Sequence, residues 1–361
     1  MKERSPQLHD VGRYNRNEAI LYGLRNLGRT GCAALAFTFG AYTLDLGYTL
    51  ITEPDRNSQM EWSGTKNCKN ATFVAVHLGS TGKDIAQWQA DNNQAAIENA
   101  GGAILVTKYD TKGDIGEFRD HLDETLAACA RPDRPYVPVV FNGVSLGGKY
   151  AQWITNARLK NGIPIGIIME SSPTGIDSIR DTNVRALMSV ANPDRPIPMT
   201  KGMVFGNSLM TEISRRGMGI FANPYSVHDI VSSTQQTNAK TLTWQIVANS
   251  QPWPIAVQPG DNNVPIDYIY TDGDTAVNTA LVRLQLKLFT HAEVTEHLIP
   301  PEKSWDTAPN HADGWRQDAT NAADYRSTYA SIYRKYGERV ENQRQEIAKE
   351  YPAPRGNKRI S

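Results

Sequence analysis

A chain of 361 residues, 40% apolar and 21% charged, has the balance of a folded globular protein and is long enough for one large domain with a sizeable insertion. Its 38 Lys and Arg are matched by 38 Asp and Glu, so no basic excess marks it as a nucleic-acid binder. The three cysteines, Cys32, Cys68 and Cys129, include no C-x-x-C pair, which leaves zinc ribbons and thioredoxin-like redox centres without their ligands.

Residues 1–29 form a basic tail, with Lys2, Arg4, Arg13, Arg16, Arg25 and Arg29 against Glu3, Asp10 and Glu18. Residues 30–52 follow as a candidate transmembrane helix. The run TGCAALAFTFGAYTLDLGYTLI at 30–51 matches the roughly 20 residues a bilayer crossing takes, and its one charge is Asp45. The positive-inside rule then anchors the chain by this helix with its bulk outside the cytoplasm. The alternative, which Asp45 favours, is a buried or amphipathic N-terminal helix on a soluble cytoplasmic protein. The long tail and the lack of a small-x-small site speak against a cleaved signal peptide. Cys68 and Cys129 either form a disulfide, given an oxidising compartment, or are two unrelated thiols.

Residues 53–70 are polar and read as a linker. Beyond them, strand-length apolar runs alternate with helical patterns. The strands are Phe73–His77, Ala103–Tyr109, Tyr136–Asn142, Ile163–Glu170, Pro265–Tyr270 and one near Glu293–Ile299. The helices are Ile85–Ala100, Phe118–Ala130, Leu146 to about Leu159, and Val277–Phe289. Such alternation predicts an α/β fold: a mostly parallel sheet with helices on both faces. Proline donates no ladder hydrogen bond, so Pro138 belongs near its strand's start. The core spans 71–176 and 257–349. Between them 177–256 breaks the rhythm with six prolines and reads as an inserted cap; it holds five of the eight methionines, Met188, Met199, Met203, Met210 and Met218. A last helix over 319–349 carries Tyr325, Tyr329, Ile332, Tyr333 and Tyr336 at helical spacing, a packing face. The tail 350–361 reads as disordered.

Gly143-Val144-Ser145-Leu146-Gly147 is a G-x-S-x-G motif between an apolar strand and a helix, the context that gives it meaning. A serine on a sharp strand-to-helix turn is lifted above the sheet, and the small residues two positions to either side let strand and helix approach. The Leu146 amide and the helix N-terminus then face the developing oxyanion.

VVFNGVSLGGKYAQWI resembles the nucleophile elbow of α/β-hydrolases, over about 71–176 and 257–315. The resemblance implies a Ser, Asp or Glu, His triad in that chain order, an oxyanion turn after an early strand, and no metal or organic cofactor. Ser145 would be the nucleophile. Asp274, just after the strand ending at Tyr270, matches the acid, with Asp272 as the alternative. Of seven histidines, His311, in a loop beyond the last strand, matches the base; His291 precedes that strand and His297 lies in it. The second oxyanion amide falls at Ser80 or, failing that, Gly79, because His77-Leu78-Gly79-Ser80 departs from the family's His-Gly. The activity implied is hydrolysis of a small-molecule or lipid ester. A binding protein without catalysis and an acyltransferase or perhydrolase of the same fold are the alternatives. No P-loop, H-E-x-x-H or G-x-G-x-x-G motif is present, and nothing fixes the oligomeric state.

Overall fold

A computed structural model describes residues 41, 43–53, 57–79, 85–109, 115–156, 159–180, 198–206, 209, 231, 239, 240, 243, 264–272, 274, 277–289, 292–300 and 321–350. The strands are β1 (Gln59–Ser63), β2 (Phe73–Leu78), β3 (Gly102–Lys108), β4 (Val137–Val144), β5 (Gly162–Glu170), β6 (Ile266–Tyr270) and β7 (Val294–Leu298). They form one sheet in the order β1-β3-β2-β4-β5-β6-β7. Every pairing is parallel except β1 with β3. The labelled helices are α1 (Ile85–Asn99), α2 (Ile115–Ala127), α3 (Gly147–Asn156), α4 (Thr279–Phe289) and α5 (Ala322–Glu350).

The inner strands are apolar on consecutive residues because both faces of a parallel sheet are covered. Side chains alternate across the strand, so β2 sends Val74, Val76 and Leu78 into one core and Phe73 and Ala75 into the other. The first core includes Phe118, Leu122 and Leu126 of α2, Ala151 and Ile154 of α3, and Val282 and Leu286 of α4. The second is closed by Ala86, Ala90 and Ile97 of α1 and by the α5 stripe Tyr325, Tyr329, Ile332, Tyr333 and Tyr336, each at most 1% exposed. Pro138 is the second residue of β4, ahead of a register shift between Val139 and Val140.

The polar stretch 53–70 contributes the edge strand β1, so part of it is sheet rather than linker. Cys68 and Cys129 form a disulfide, which resolves the two readings of those residues. The mostly buried Arg134 braces it, donating to the carbonyl oxygens of Cys68 (3.1 Å), Cys129 (3.3 Å) and Ala71.

Most of the expected span 30–52 and of the insertion 177–256 lies outside the described residues. Among those described, no helix is long and apolar enough to cross a membrane. The helical residues 43–52 instead correct the reading of the span's end. Asp45, Thr49 and Glu53 are four residues apart and share one face. Asp45 accepts from Gly202 N (2.9 Å) and from the Thr200 hydroxyl, at the start of the helical stretch 201–206. Thr49 Oγ1 accepts from Lys201 N (3.0 Å). Glu53, 7% exposed, pairs with Lys201 Nζ (2.6 Å) and accepts from Ala239 N (2.8 Å). The charge that interrupts the apolar run thus caps a helix of the insertion. Leu44, Tyr48 and Ile51, on other faces, are 79%, 60% and 84% exposed.

Candidate active site

Ser145 stands between β4 and α3 with φ +50°, a left-handed value that costs a non-glycine residue and persists only where its surroundings enforce it. Two glycines make that turn possible. A Cβ on Gly147 would lie 2.2 Å from Leu78 O and 2.8 Å from Gly79 O, so the elbow touches the loop that follows β2. A Cβ on Gly143 would lie 2.5 Å from the carbonyl carbon of Gly147. Below the turn, Ser145 N donates to Glu170 O (2.8 Å) at the end of β5, while Gly148 N donates back to Ser145 O (3.2 Å). Ser145 and Leu146 are partly exposed, whereas their flanks Val144 and Gly147 are buried.

The two aspartates after β6 differ sharply. Asp274 is 0% exposed, and its Oδ1 accepts from Val277 N (2.8 Å), while Asp272 is exposed. Asp274 N donates to Thr271 O (3.2 Å), so a tight turn folds the carboxylate back under the strand's end. His311, His291 and Ser80 lie outside the described residues. His297 is engaged elsewhere: its Nε2 is 2.8 Å from Asp267 Oδ1, which Lys335 (3.3 Å) also approaches. Gly79 is described, and its carbonyl accepts from the Tyr109 hydroxyl (3.0 Å).

Sequence reasoning missed the polar groups buried beneath the elbow. Glu170, 0% exposed, accepts at Oε2 from Gln89 Nε2 (2.8 Å) and from the Tyr329 hydroxyl (2.5 Å). Asn142 Nδ2 donates to the Tyr333 hydroxyl (2.9 Å). Lys149, in the first turn of α3, is also 0% exposed and donates from Nζ to Thr174 O (3.0 Å); burial lowers its ammonium to about 7. The available signal for Lys149 was its place in the first turn of the helix that follows the G-x-S-x-G motif.

His77 is buried in β2, and neither ring nitrogen meets a partner at hydrogen-bond geometry. Burial lowers its imidazole to about 4, only partly offset by the nearby Gln89 side chain. The unfolded chain, titrating near 6.5, takes up this proton first. The stability it contributes is complete above about pH 6.5 and is lost as pH falls toward 4. Between pH 7 and 4.5, urea unfolding should show the wild type losing about 2 kcal/mol more than His77→Phe. Parallel losses in the two proteins would refute the assignment.

Strand order, a single antiparallel edge strand and the strained serine at the tip of the central strand define an α/β-hydrolase fold. The structure of a hydrolase from Oleispira antarctica is similar at a TM-score of 0.50 and 11% identity, over 76% of this chain and 93% of that one. At that identity the likeness establishes the fold alone. An esterase from Exiguobacterium antarcticum (TM-score 0.45, 13% identity, 78% of this chain and 95% of that one) also matches. So does a bromoperoxidase from Bacillus anthracis (TM-score 0.48, 13% identity, 77% and 95%). No protein-family model and no curated protein matches the sequence.

Proposed function

We propose that this chain is a serine hydrolase that cleaves carboxylic esters through an acyl-enzyme. The observation that carries the reading is Ser145, strained and accessible at the head of α3, with one buried aspartate, Asp274, in the turn after β6. A left-handed serine wedged between close-packed glycines serves no evident packing purpose. It does hold a hydroxyl above the sheet edge, at the positive end of a helix.

In this reading Ser145 Oγ attacks the ester carbonyl carbon while His311 takes the hydroxyl proton. The oxyanion is held by the amides of Leu146 and Ser80. The carbon–oxygen bond to the alcohol breaks as His311 returns the proton to the leaving oxygen. Water, deprotonated by His311, then attacks the acyl carbon, and the bond to Ser145 Oγ breaks as His311 returns the proton to that oxygen, releasing the carboxylic acid. Asp274 orients the imidazole and stabilises its charged form. Its burial supports it over the exposed Asp272, because a carboxylate shielded from water interacts more strongly with a neighbouring imidazolium.

The methionine-rich insertion suits an apolar or lipid-like acyl group. Membrane anchorage, with the hydrolase domain outside the cytoplasm, is part of the same reading, with residues 43–53, held by the insertion, outside the bilayer. The apolar run before them, the basic tail upstream and the exposed Leu44, Tyr48 and Ile51 support it. The disulfide fits an oxidising compartment.

Fluorophosphonate labelling tests both parts without knowledge of the substrate, using the tagged full-length chain in fractionated cells. A fragment beginning near residue 53 would lose Asp45 and Thr49 and is unsuitable. Labelling should occur in the wild type, vanish in Ser145→Ala and His311→Ala, and remain in the membrane pellet after a carbonate wash. A folded wild type that stays unlabelled would favour the non-catalytic binding protein, and signal in the wash would overturn anchorage. Added alcohol or peroxide acceptors would expose acyl transfer or perhydrolysis.

A further inference from the structure

Lys149 is a costly residue where it stands. Its side chain is removed from water in the first turn of α3, where the helix dipole disfavours a cation. What it reaches is the loop that leaves β5. Lys149 Nζ donates to Thr174 O (3.0 Å). The same loop is closed by Ser178, whose Oγ accepts from Thr174 N (3.0 Å) and Gly175 N (3.2 Å) and donates to Gly175 O (2.6 Å). Ser178 O in turn accepts from Asn278 N (2.7 Å), and the neighbouring Ile179 forms an isolated β-bridge with Val277. Val277 N is the donor to Asp274 Oδ1 (2.8 Å). A chain of hydrogen bonds, linked through the backbone of residues 174, 178 and 277–278, therefore runs from the nucleophile's helix to the carboxylate after β6. Thr174, Ser178 and Asp274 are each at most 2% exposed.

We infer that Lys149 is a positioning residue, which through Thr174 and Ser178 fixes the Asp274 loop in register with the helix that carries Ser145. The inference rests on the triad reading of the preceding section and deepens it. Ser145 and Asp274 come from strands two apart in the sheet, β4 and β6, so no strand pairing joins their loops directly. Lys149 spans that gap from the one helix rigidly joined to the nucleophile. It acts on the chemistry through Asp274 and not by touching substrate. A shift of about 1 Å at a catalytic group can lower turnover about 100-fold, which is reason enough for a buried amine at this place.

The test is a double-mutant cycle on the full-length chain. Lys149→Met and Ser178→Ala are each made in the wild-type and in the Asp274→Asn background. Hydrolysis of p-nitrophenyl butyrate and the rate of fluorophosphonate labelling are measured for all six proteins, with thermal melts to establish folding. In the wild-type background each change should lower kcat roughly 10- to 100-fold and leave KM nearly unmoved. In the Asp274→Asn background neither should lower it further, because the group they position has already lost its function. Losses of equal factor in both backgrounds would overturn the inference, as would a loss expressed in KM or none at all. Should Lys149→Met fail to fold, Ser178→Ala interrupts the same path with a single hydroxyl and decides the matter alone. A folded wild type that neither hydrolyses esters nor labels would instead remove the hydrolase reading itself, a result distinct from variants that behave as the wild type does.

Discussion

Ser145→Ala should lower ester turnover about a million-fold, and Asp274→Asn about ten-thousand-fold, in chains that stay folded. The serine loss is the larger because no other group can form the acyl-enzyme; what remains is the catalysis of the oxyanion amides and of substrate binding. The asparagine retains the shape of Asp274, and its side chain can still accept from Val277 N, so the turn should hold. What would disappear, on the proposed triad, is the negative charge that fixes the imidazole tautomer and stabilises the imidazolium. Combining the two changes should cost no more than Ser145→Ala alone, since groups acting as a unit are not additive. Asp272→Asn, at an exposed turn position, should leave turnover near wild type. Steady-state kinetics on a chromogenic ester, set beside thermal melts, decide the matter. A large loss from Asp272→Asn with little from Asp274→Asn would reverse the assignment of the acid.

Removing the disulfide is expected to have the largest effect on stability. Cys68 and Cys129 are 61 residues apart in sequence, and the loop they close contains β2, α1, β3 and α2. Cross-linking a segment of that length restricts the unfolded chain by about 4 kcal/mol in the chain-entropy account. The folded state gives little reason for a smaller value. The bridge joins the turn before β2 to the end of α2, and Arg134 already binds the carbonyl oxygens of both cysteines. Cys68→Ser with Cys129→Ser should therefore shift the urea midpoint sharply downward, and a reductant should shift the wild type to match. An unchanged midpoint in both experiments would show that the bridge adds nothing to stability.

How much of this was legible in the sequence depended on how local the cause was. The buried strands announced themselves because a parallel strand covered on both faces must be apolar at consecutive positions, as FVAV, AILV and GIIM are. The elbow was legible because its chemistry demands small residues at fixed offsets, and a Cβ on Gly147 would collide with the loop after β2. The edge strand β1, QMEWS, was not. Paired on one side only, it is largely exposed and polar, and reads like a linker. Asp45 was misleading for the opposite reason. It looks like a flaw in a lipid-facing run because its partners, Thr200 and Gly202, lie 155 and 157 residues away. Lys149 and Glu170 carry the same lesson at the site. Each reads as an ordinary charge on a surface, and only the tertiary fold buries it, Lys149 against Thr174 and Glu170 against Gln89 and Tyr329.

The grip of residues 43–53 on the insertion also sets a timetable for biosynthesis. Glu53 accepts from the backbone of a residue made 186 positions later. At about 5–20 residues per second, a ribosome needs roughly 10–40 s to supply that partner. For most of that interval, until residues 200–202 are made, the acceptors on Asp45, Thr49 and Glu53 have none of their native partners, and Glu53 lacks the Ala239 amide to its end. The helical stretch 43–52 is thus complete long before its partners exist. The nascent chain is most exposed to misassembly just before Ala239 emerges, well after the strand and helix bearing Ser145 have been made.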